Sequence, residues 1–211
     1  MIGHDTRNPL QTIFGETYLL KSEIDSLPKG GFKKCFEEGL SNIEESLSYI
    51  NKIVSDLQDY AKTPKPTFEE VAVEKMVQDV LSTTDVPETV RITLSLEDSS
   101  LALKTDPTYM KRILTNLISN AIQALPNGGK ISIKVKRKED KVFLSVEDTG
   151  QGIPIEVRGR IFTLLVTTKP KGQGFGLAVV KKLTEALNRT VTFNSEIGKG
   201  TRFNIELTLS G

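Results

Sequence analysis

The sequence has one cysteine, Cys35, and one histidine, His4, among 211 residues. A single thiol excludes an internal disulfide and a cysteine metal cluster, and it fits a reducing compartment. An excess of either charge is also missing: 28 Lys and Arg against 27 Asp and Glu leave a formal net charge of +1. That balance argues against a chain whose main task is to coat nucleic acid or an anionic membrane. No apolar run approaches the ~20 residues needed to span a bilayer, and the opening residues lack the pattern of a secretory signal. There is no internal repeat and no low-complexity tract. The apolar residues that are present are patterned, so the chain is not a disordered one. Its length suits one large or two small domains.

Apolar or small residues recur at Leu10, Ile13, Thr17, Leu20, Ile24 and Leu27 until Pro28-Lys29-Gly30-Gly31 breaks the helix. A second row, Phe36, Leu40, Ile43, Leu47, Ile50, Val54 and Leu57, holds heptad spacing throughout. The pattern predicts an antiparallel helical hairpin over residues 1–63. One hairpin cannot bury both stripes well, so a homodimer closing a four-helix bundle is expected. The alternative is that both stripes pack on the downstream domain. His4 falls off the first seam, on the expected wetted face, and Asn8 shares that face at i+4. Asp5 places a carboxylate beside the imidazole, and Pro9 loosens the helix beyond it. Helix ends fray, so His4 so near Met1 leads to the expectation that a longer parent chain precedes it. Thr63-Pro64-Lys65-Pro66 ends the second helix, and residues 64–67 read as a short stiff linker.

From Phe68 to Gly211 the pattern alternates between helix and strand. Glu74 to Leu81 is helical, while Val90–Leu96, Ile131–Val135, Val142–Val146 and Phe203–Leu209 repeat every second residue. This predicts an α+β sandwich, a mixed sheet covered by helices on one face. Asp106-Pro107 opens a helix that runs to Leu125. It carries Asn116, Asn120 and Gln123 along one stripe. Neutral amide oxygens suit a hard cation such as Mg²⁺ without adding negative charge beside phosphates; the alternative is an ordinary solvated face. Asp148 ends a strand in Glu147-Asp148-Thr149-Gly150-Gln151-Gly152-Ile153-Pro154, where its carboxylate can accept from an amino group. Gly150 and Gly152 permit close approach to a flat ligand, or else form a plain turn before a helix capped at Pro154. Gly172, Gly174 and Gly176 open a helix running to Leu187 and aim backbone N–H groups at an anion. The third glycine comes too early for the dinucleotide fingerprint, and the preceding strand is missing. Ile161–Lys169 is apolar, then polar, and reads as a lid anchored by Phe162. Gly198-Lys199-Gly200-Thr201 is a hairpin turn or a fifth part of the same site.

In this order and spacing the elements resemble the catalytic core of two-component sensor histidine kinases, over nearly the whole chain. The hairpin is similar to a HisKA-type dimerisation and histidine phosphotransfer domain, with His4-Asp5-Thr6-Arg7-Asn8-Pro9-Leu10 as its H box. The later part resembles the GHKL ATP-binding fold shared with gyrase and mismatch-repair ATPases. There Asn116-Leu117-Ile118-Ser119-Asn120-Ala121 matches the N box, Asp148–Gly152 the first glycine box, Phe162 the F box, and Gly172, Gly174 and Gly176 the second glycine box.

The resemblance implies a homodimeric protein-histidine kinase using ATP and Mg²⁺. His4 would attack the γ-phosphate, and Asp5 would orient the ring and take its proton. Asn120 would hold Mg²⁺, with Asn116 near the phosphates. Asp148 would read the adenine amino group, helped through water by Thr201. The second glycine box with Leu177, and the stretch Thr167, Thr168 and Lys169, would close over the triphosphate. The phosphoryl group would pass to an aspartate of a response regulator receiver domain, and Asn8 would orient water for the reverse phosphatase activity. The expected location is the cytoplasm, or the cytoplasmic portion of a membrane sensor, with no membrane contact by this segment. Some residues depart from the family's habit: Gln123 replaces a basic residue, Asp5 a glutamate, Thr6 an aliphatic residue, and Leu164-Leu165 proline and aromatic residues. Two other functions fit the same motifs, a dimeric ATP-binding pseudokinase scaffold and a GHKL-type ATPase that releases free phosphate.

Overall fold

The computed structural model describes residues 2–25, 31–61, 63–167 and 174–208. The chain divides into two compact units, Met1–Lys62 and Thr63–Gly211. None of the described helices is long and apolar enough to cross a membrane.

The first unit holds α1 (Ile2–Asp25) and α2 (Gly31–Ala61). Thr17 and Ile24 of α1, and Leu40 and Leu47 of α2, are buried. The Thr17 hydroxyl lies within hydrogen-bond distance of the Ile13 and Phe14 carbonyls, so it enters the apolar contact without an unmet donor. Lys21 Nζ reaches Glu44 Oε2 at 2.8 Å across the two helices. The heptad row of α2 does not bury as one seam. Leu40 and Leu47 are 6% exposed, whereas Phe36, Ile43, Ile50 and Leu57 remain 44–50% exposed. Ile13 and Leu20 of α1 are likewise open, at 44% and 49%. One side of the repeat thus packs against α1, while Ile43, Ile50 and Leu57, spaced by seven residues, stay about half exposed. The break at Pro28-Lys29-Gly30, and the side chain of Leu10, lie outside the described residues.

The second unit is built on a five-stranded sheet in the order β2-β4-β5-β7-β6. Its strands are β2 (Val90–Leu96), β4 (Gly129–Lys138), β5 (Lys141–Asp148), β6 (Thr190–Glu196) and β7 (Gly200–Thr208). β2 and β4 run parallel and the remaining neighbours antiparallel, so the sheet is mixed. A small antiparallel ribbon joins β1 (Glu69–Ala72) to β3 (Ala102–Thr105). Three helices carry the core against one sheet face: α3 (Val73–Ser82), α4 (Pro107–Gln123) and α6 (Gly176–Ala186). α5 (Ile155–Arg158) is a single turn. Alternation supplies the inner face, with Ile131, Ile133 and Val135 beside Val142, Leu144 and Val146, then Phe203, Ile205 and Leu207. Met76, Val77, Met110, Ile113, Leu114, Leu117 and Val180 fill the space under the helices. The sequence reading did not anticipate β1, β3 or β6. The first two are four residues long, and β6 is an edge strand whose inward row is only Val191, Phe193 and Ser195.

The outer face of the sheet is charged. Glu147 accepts from Arg202 Nη2 at 2.7 Å and lies 3.5 Å from Lys134 Nζ. Partial burial by itself would push the Glu147 carboxyl up, but the Arg202 hydrogen bond and charge, with Lys134, outweigh it and hold the group below the usual carboxylate range. A carboxylate lowered in the folded state adds stability above its ordinary value and loses it as pH falls through the lowered one. Glu147→Gln is therefore expected to reduce stability at neutral pH by roughly 0.2–1 kcal/mol, the range for half-exposed pairs. In urea titrations the gap between variant and wild type should close on acidification.

Candidate functional site

The site begins at the N-terminus of α4. Asp106 Oδ1 accepts the Tyr109 N–H at 3.0 Å, capping the helix before Pro107. Its other oxygen accepts the Thr67 N–H at 2.7 Å, and the Lys65 N–H donates to the Tyr109 hydroxyl at 2.9 Å. Prolines occupy the alternate positions 64 and 66, so the two N–H groups that remain both dock on the first turn of α4.

Asn116 and Asn120 follow on the half-buried side of α4. Asn116 Nδ2 donates to the Arg112 carbonyl at 3.0 Å, which fixes the amide. A Cβ placed on Gly176 would lie 3.2 Å from Asn116 Oδ1 and 3.6 Å from Asn120 Nδ2. The first residue of α6 is therefore seated against both asparagines, with Leu177 next in line. α6 has no acidic residue in its first turn, so the positive end of its dipole is left uncompensated by its own side chains.

Asp148 closes β5 and is 5% exposed. Its Oδ1 accepts the Gly150 N–H at 2.8 Å, and Gly150 in turn sits on the C-terminal end of α4. Thr201 of β7 stands directly opposite Asp148 and is equally buried. At Gly150 the room a Cβ would need is filled by the Ala124 carbonyl, at Gly152 by the Glu196 carbonyl, and at Gly200 by the Asp148 carbonyl. These positions need glycine so that chain can pass over chain. Gly152 and Gly200 also have φ of 75° and 113°. Gly200→Ala is expected to lower stability by roughly 1–3 kcal/mol, the cost of overpacking, visible as a lower thermal midpoint. Gly159→Ala, which meets open space at φ −66°, should leave it unchanged or slightly higher.

Phe162 packs edge-on against Phe193 at 5.9 Å and Phe203 at 6.4 Å, pinning residues 159–165 to the sheet. The Leu165 N–H donates to the Gly174 carbonyl at 3.0 Å, so Gly174 meets the end of that segment. Thr167 is exposed. Thr168, Lys169 and Gly172 lie outside the described residues. His4, Asp5 and Asn8 are in the opening turns of α1, and their side chains also lie outside them. Among the described residues no group of three or more His, Cys, Asp or Glu could hold a metal ion. The structure thus joins Asn116, Asn120, Gly176, Gly150, Asp148 and Thr201 into one strip, from the start of α6 along α4 to the ends of β5 and β7.

Residues 105–211, half of the chain, match the family model described as histidine kinase-, DNA gyrase B-, and HSP90-like ATPase. The chain belongs to that family. The match covers every element of the strip, and the resemblance to sensor histidine kinases extends beyond it. Sporulation kinase A of Bacillus subtilis (strain 168) is 32% identical over 208 residues, 97% of this chain and 33% of that protein. Sensor histidine kinase ZraS of Escherichia coli (strain K12) is 29% identical over 212 residues, 99% of this chain and 44% of that protein. This ATPase-family chain thus spans between a third and a half of the length of these two relatives. Among solved structures, histidine kinase ThkA in complex with response regulator protein TrrA superposes with a TM-score of 0.68 at 26% identity, over 99% of this chain and 60% of that one. The histidine kinase catalytic core is the part of those proteins that this chain matches.

Ser195 was missed by the sequence reading. It lies on the unanticipated β6, where its hydroxyl receives the Ile153 N–H at 2.8 Å and contacts Thr201 Oγ1 at 2.9 Å. The available signal was its place on the inward parity of Val191 and Phe193, one turn before Gly198.

Proposed function

We infer that this chain binds ATP along the α4–α6 strip, phosphorylates its own His4, and passes the phosphoryl group to an aspartate of a response regulator. The observation that carries this reading is the seating of the α6 N-terminus on Asn116 and Asn120, one helical turn from the Asp148 end of the sheet. An anion on the α6 N–H groups and a base at Asp148 is the arrangement one nucleoside triphosphate needs. Asp148 accepts from the adenine amino group, with Thr201 acting through water. Gly172, Gly174, Gly176, Leu177, Thr167, Thr168 and Lys169 enclose the phosphates. Asn120 fits as a neutral oxygen ligand to Mg²⁺, which would take its other oxygens from the nucleotide and water. When bound, that ion neutralises charge on the transferring group.

In the transfer itself, a P–N bond forms between a His4 ring nitrogen and the γ-phosphorus as the bond to the β-phosphate oxygen breaks. ADP leaves, and the ring proton passes to Asp5. Asn8 orients water for dephosphorylation of the regulator. The homodimer buries the half-exposed row Ile43, Ile50 and Leu57 of α2.

The test uses wild type and His4→Gln with γ-labelled MgATP. Wild type is expected to take up acid-labile label and hand it to a receiver domain, and the variant to take up none while binding nucleotide as before. Nucleotide binding without label in wild type points to a scaffold. Steady phosphate release unaffected by His4→Gln points to a plain ATPase.

A further inference from the structure

β1 and β3 pair antiparallel with Glu69 opposite Thr105, so residues 64–67 approach the residues that open α4. The backbone ladder stops there. The Asp106 carbonyl is taken by the Met110 N–H at 3.0 Å, and Pro107 has no N–H to offer. Two side chains take over as acceptors. Asp106 Oδ2 receives the Thr67 N–H at 2.7 Å, and the Tyr109 hydroxyl receives the Lys65 N–H at 2.9 Å. Pro64 and Pro66 carry no N–H, so both donors of residues 64–67 are held. Each proline also fixes its own φ and confines the residue before it, Thr63 or Lys65, to extended backbone.

Capping α4 does not require this arrangement. One oxygen of Asp106 already accepts the Tyr109 N–H, and a serine hydroxyl would do that work about as well. The second carboxylate oxygen and the Tyr109 hydroxyl are therefore spent on the linker. Asp106 is 5% exposed, so water cannot readily replace it there. α2 ends at Ala61, which leaves residues 62–64 to join it to the first held N–H. Without the two acceptors the join would run from 62 to 68, as far as β1. We propose that Asp106 and Tyr109 are positioning residues for phosphoryl transfer: they clamp the linker to the first turn of α4 and so keep the pivot between the two units short. The effective concentration of one tethered unit at the other falls roughly as the 3/2 power of tether length, so opening the clamp dilutes the nucleotide at His4 about fourfold. This rests on the kinase reading above, which gave neither residue a part in the transfer.

The experiment compares label uptake from saturating γ-labelled MgATP in wild type and in the double variant Asp106→Ser with Tyr109→Phe. Serine still caps α4 and phenylalanine keeps the ring, so the linker alone loses its acceptors. The variant is expected to label His4 about fourfold more slowly. It should bind ADP with wild-type affinity in calorimetric titration. It should also pass label from His4 to a receiver domain at the wild-type rate, since that step does not involve the nucleotide. Amide hydrogen exchange at Lys65 and Thr67 should be slow in wild type and fast in the variant. A merely structural role would lower ADP affinity and receiver transfer together with labelling, and that pattern overturns the proposal. An unchanged or faster labelling rate overturns it too, as does fast exchange at both amides in wild type. Should the double variant fail to fold, Tyr109→Phe alone must slow labelling in the same direction, and an unchanged rate there counts equally against the clamp. Wild type that takes up no label on His4 sinks the kinase reading and the clamp's role with it. Wild type that labels while the variant matches it sinks the clamp alone.

Discussion

Asp148→Ala is expected to weaken ADP binding on the order of 100-fold in a calorimetric titration. Two effects add. The base loses a charged acceptor in a site that is 5% exposed, where water cannot readily substitute. The Gly150 N–H loses its partner at the point where the chain crosses the end of α4. The second effect should lower stability without nucleotide by roughly 1–3 kcal/mol, so thermal unfolding of the free protein separates the two. Asp148→Asn sharpens the distinction. An amide oxygen still receives the Gly150 N–H, so stability should stay near wild type. The amide nitrogen now meets the adenine amino group donor to donor, so affinity should still fall.

The second large effect concerns association. Wild type is expected to sediment at twice the chain mass, and Ile43→Asp with Ile50→Asp as single chains. Both residues lie in the heptad row that α1 leaves uncovered, at 46% and 44% exposure. Placing two carboxylates in an apolar seam should shift the dimer equilibrium on the order of a thousandfold, about 4 kcal/mol. Leu19→Ser is the control. Leu19 is 57% exposed but off the rows that continue the seam, so its replacement should leave the mass unchanged. A double variant that remains dimeric would mean that this row is covered by something else.

Much of the globular unit was legible because its signals were redundant. Asp106-Pro107 marked the start of α4, and the Asp106 cap confirms the reason. Strict alternation found β2, β4, β5 and β7. β6 escaped because its outward residues, Thr190, Thr192, Asn194 and Glu196, are polar and its inward row is short. Missing it also hid Ser195 and the partner of Phe162, since Phe193 belongs to that strand. The heptad row on α2 was legible as a period but not as two functions. Spacing alone cannot say that Leu40 and Leu47 turn inward while Ile43 and Ile50 do not. The packing role of the glycines was not legible. Gly150, Gly152 and Gly200 stand where backbones cross, a contact between segments far apart in sequence that no local pattern encodes.

The most direct measurement is to locate the phosphorus after wild type has been incubated with MgATP. The expected result is one phosphoryl group per chain at most, bonded to nitrogen by its ³¹P resonance, and carried by the peptide that contains His4. Phosphorus on oxygen, on any other peptide, or released to water with the His4 peptide unmodified would contradict it.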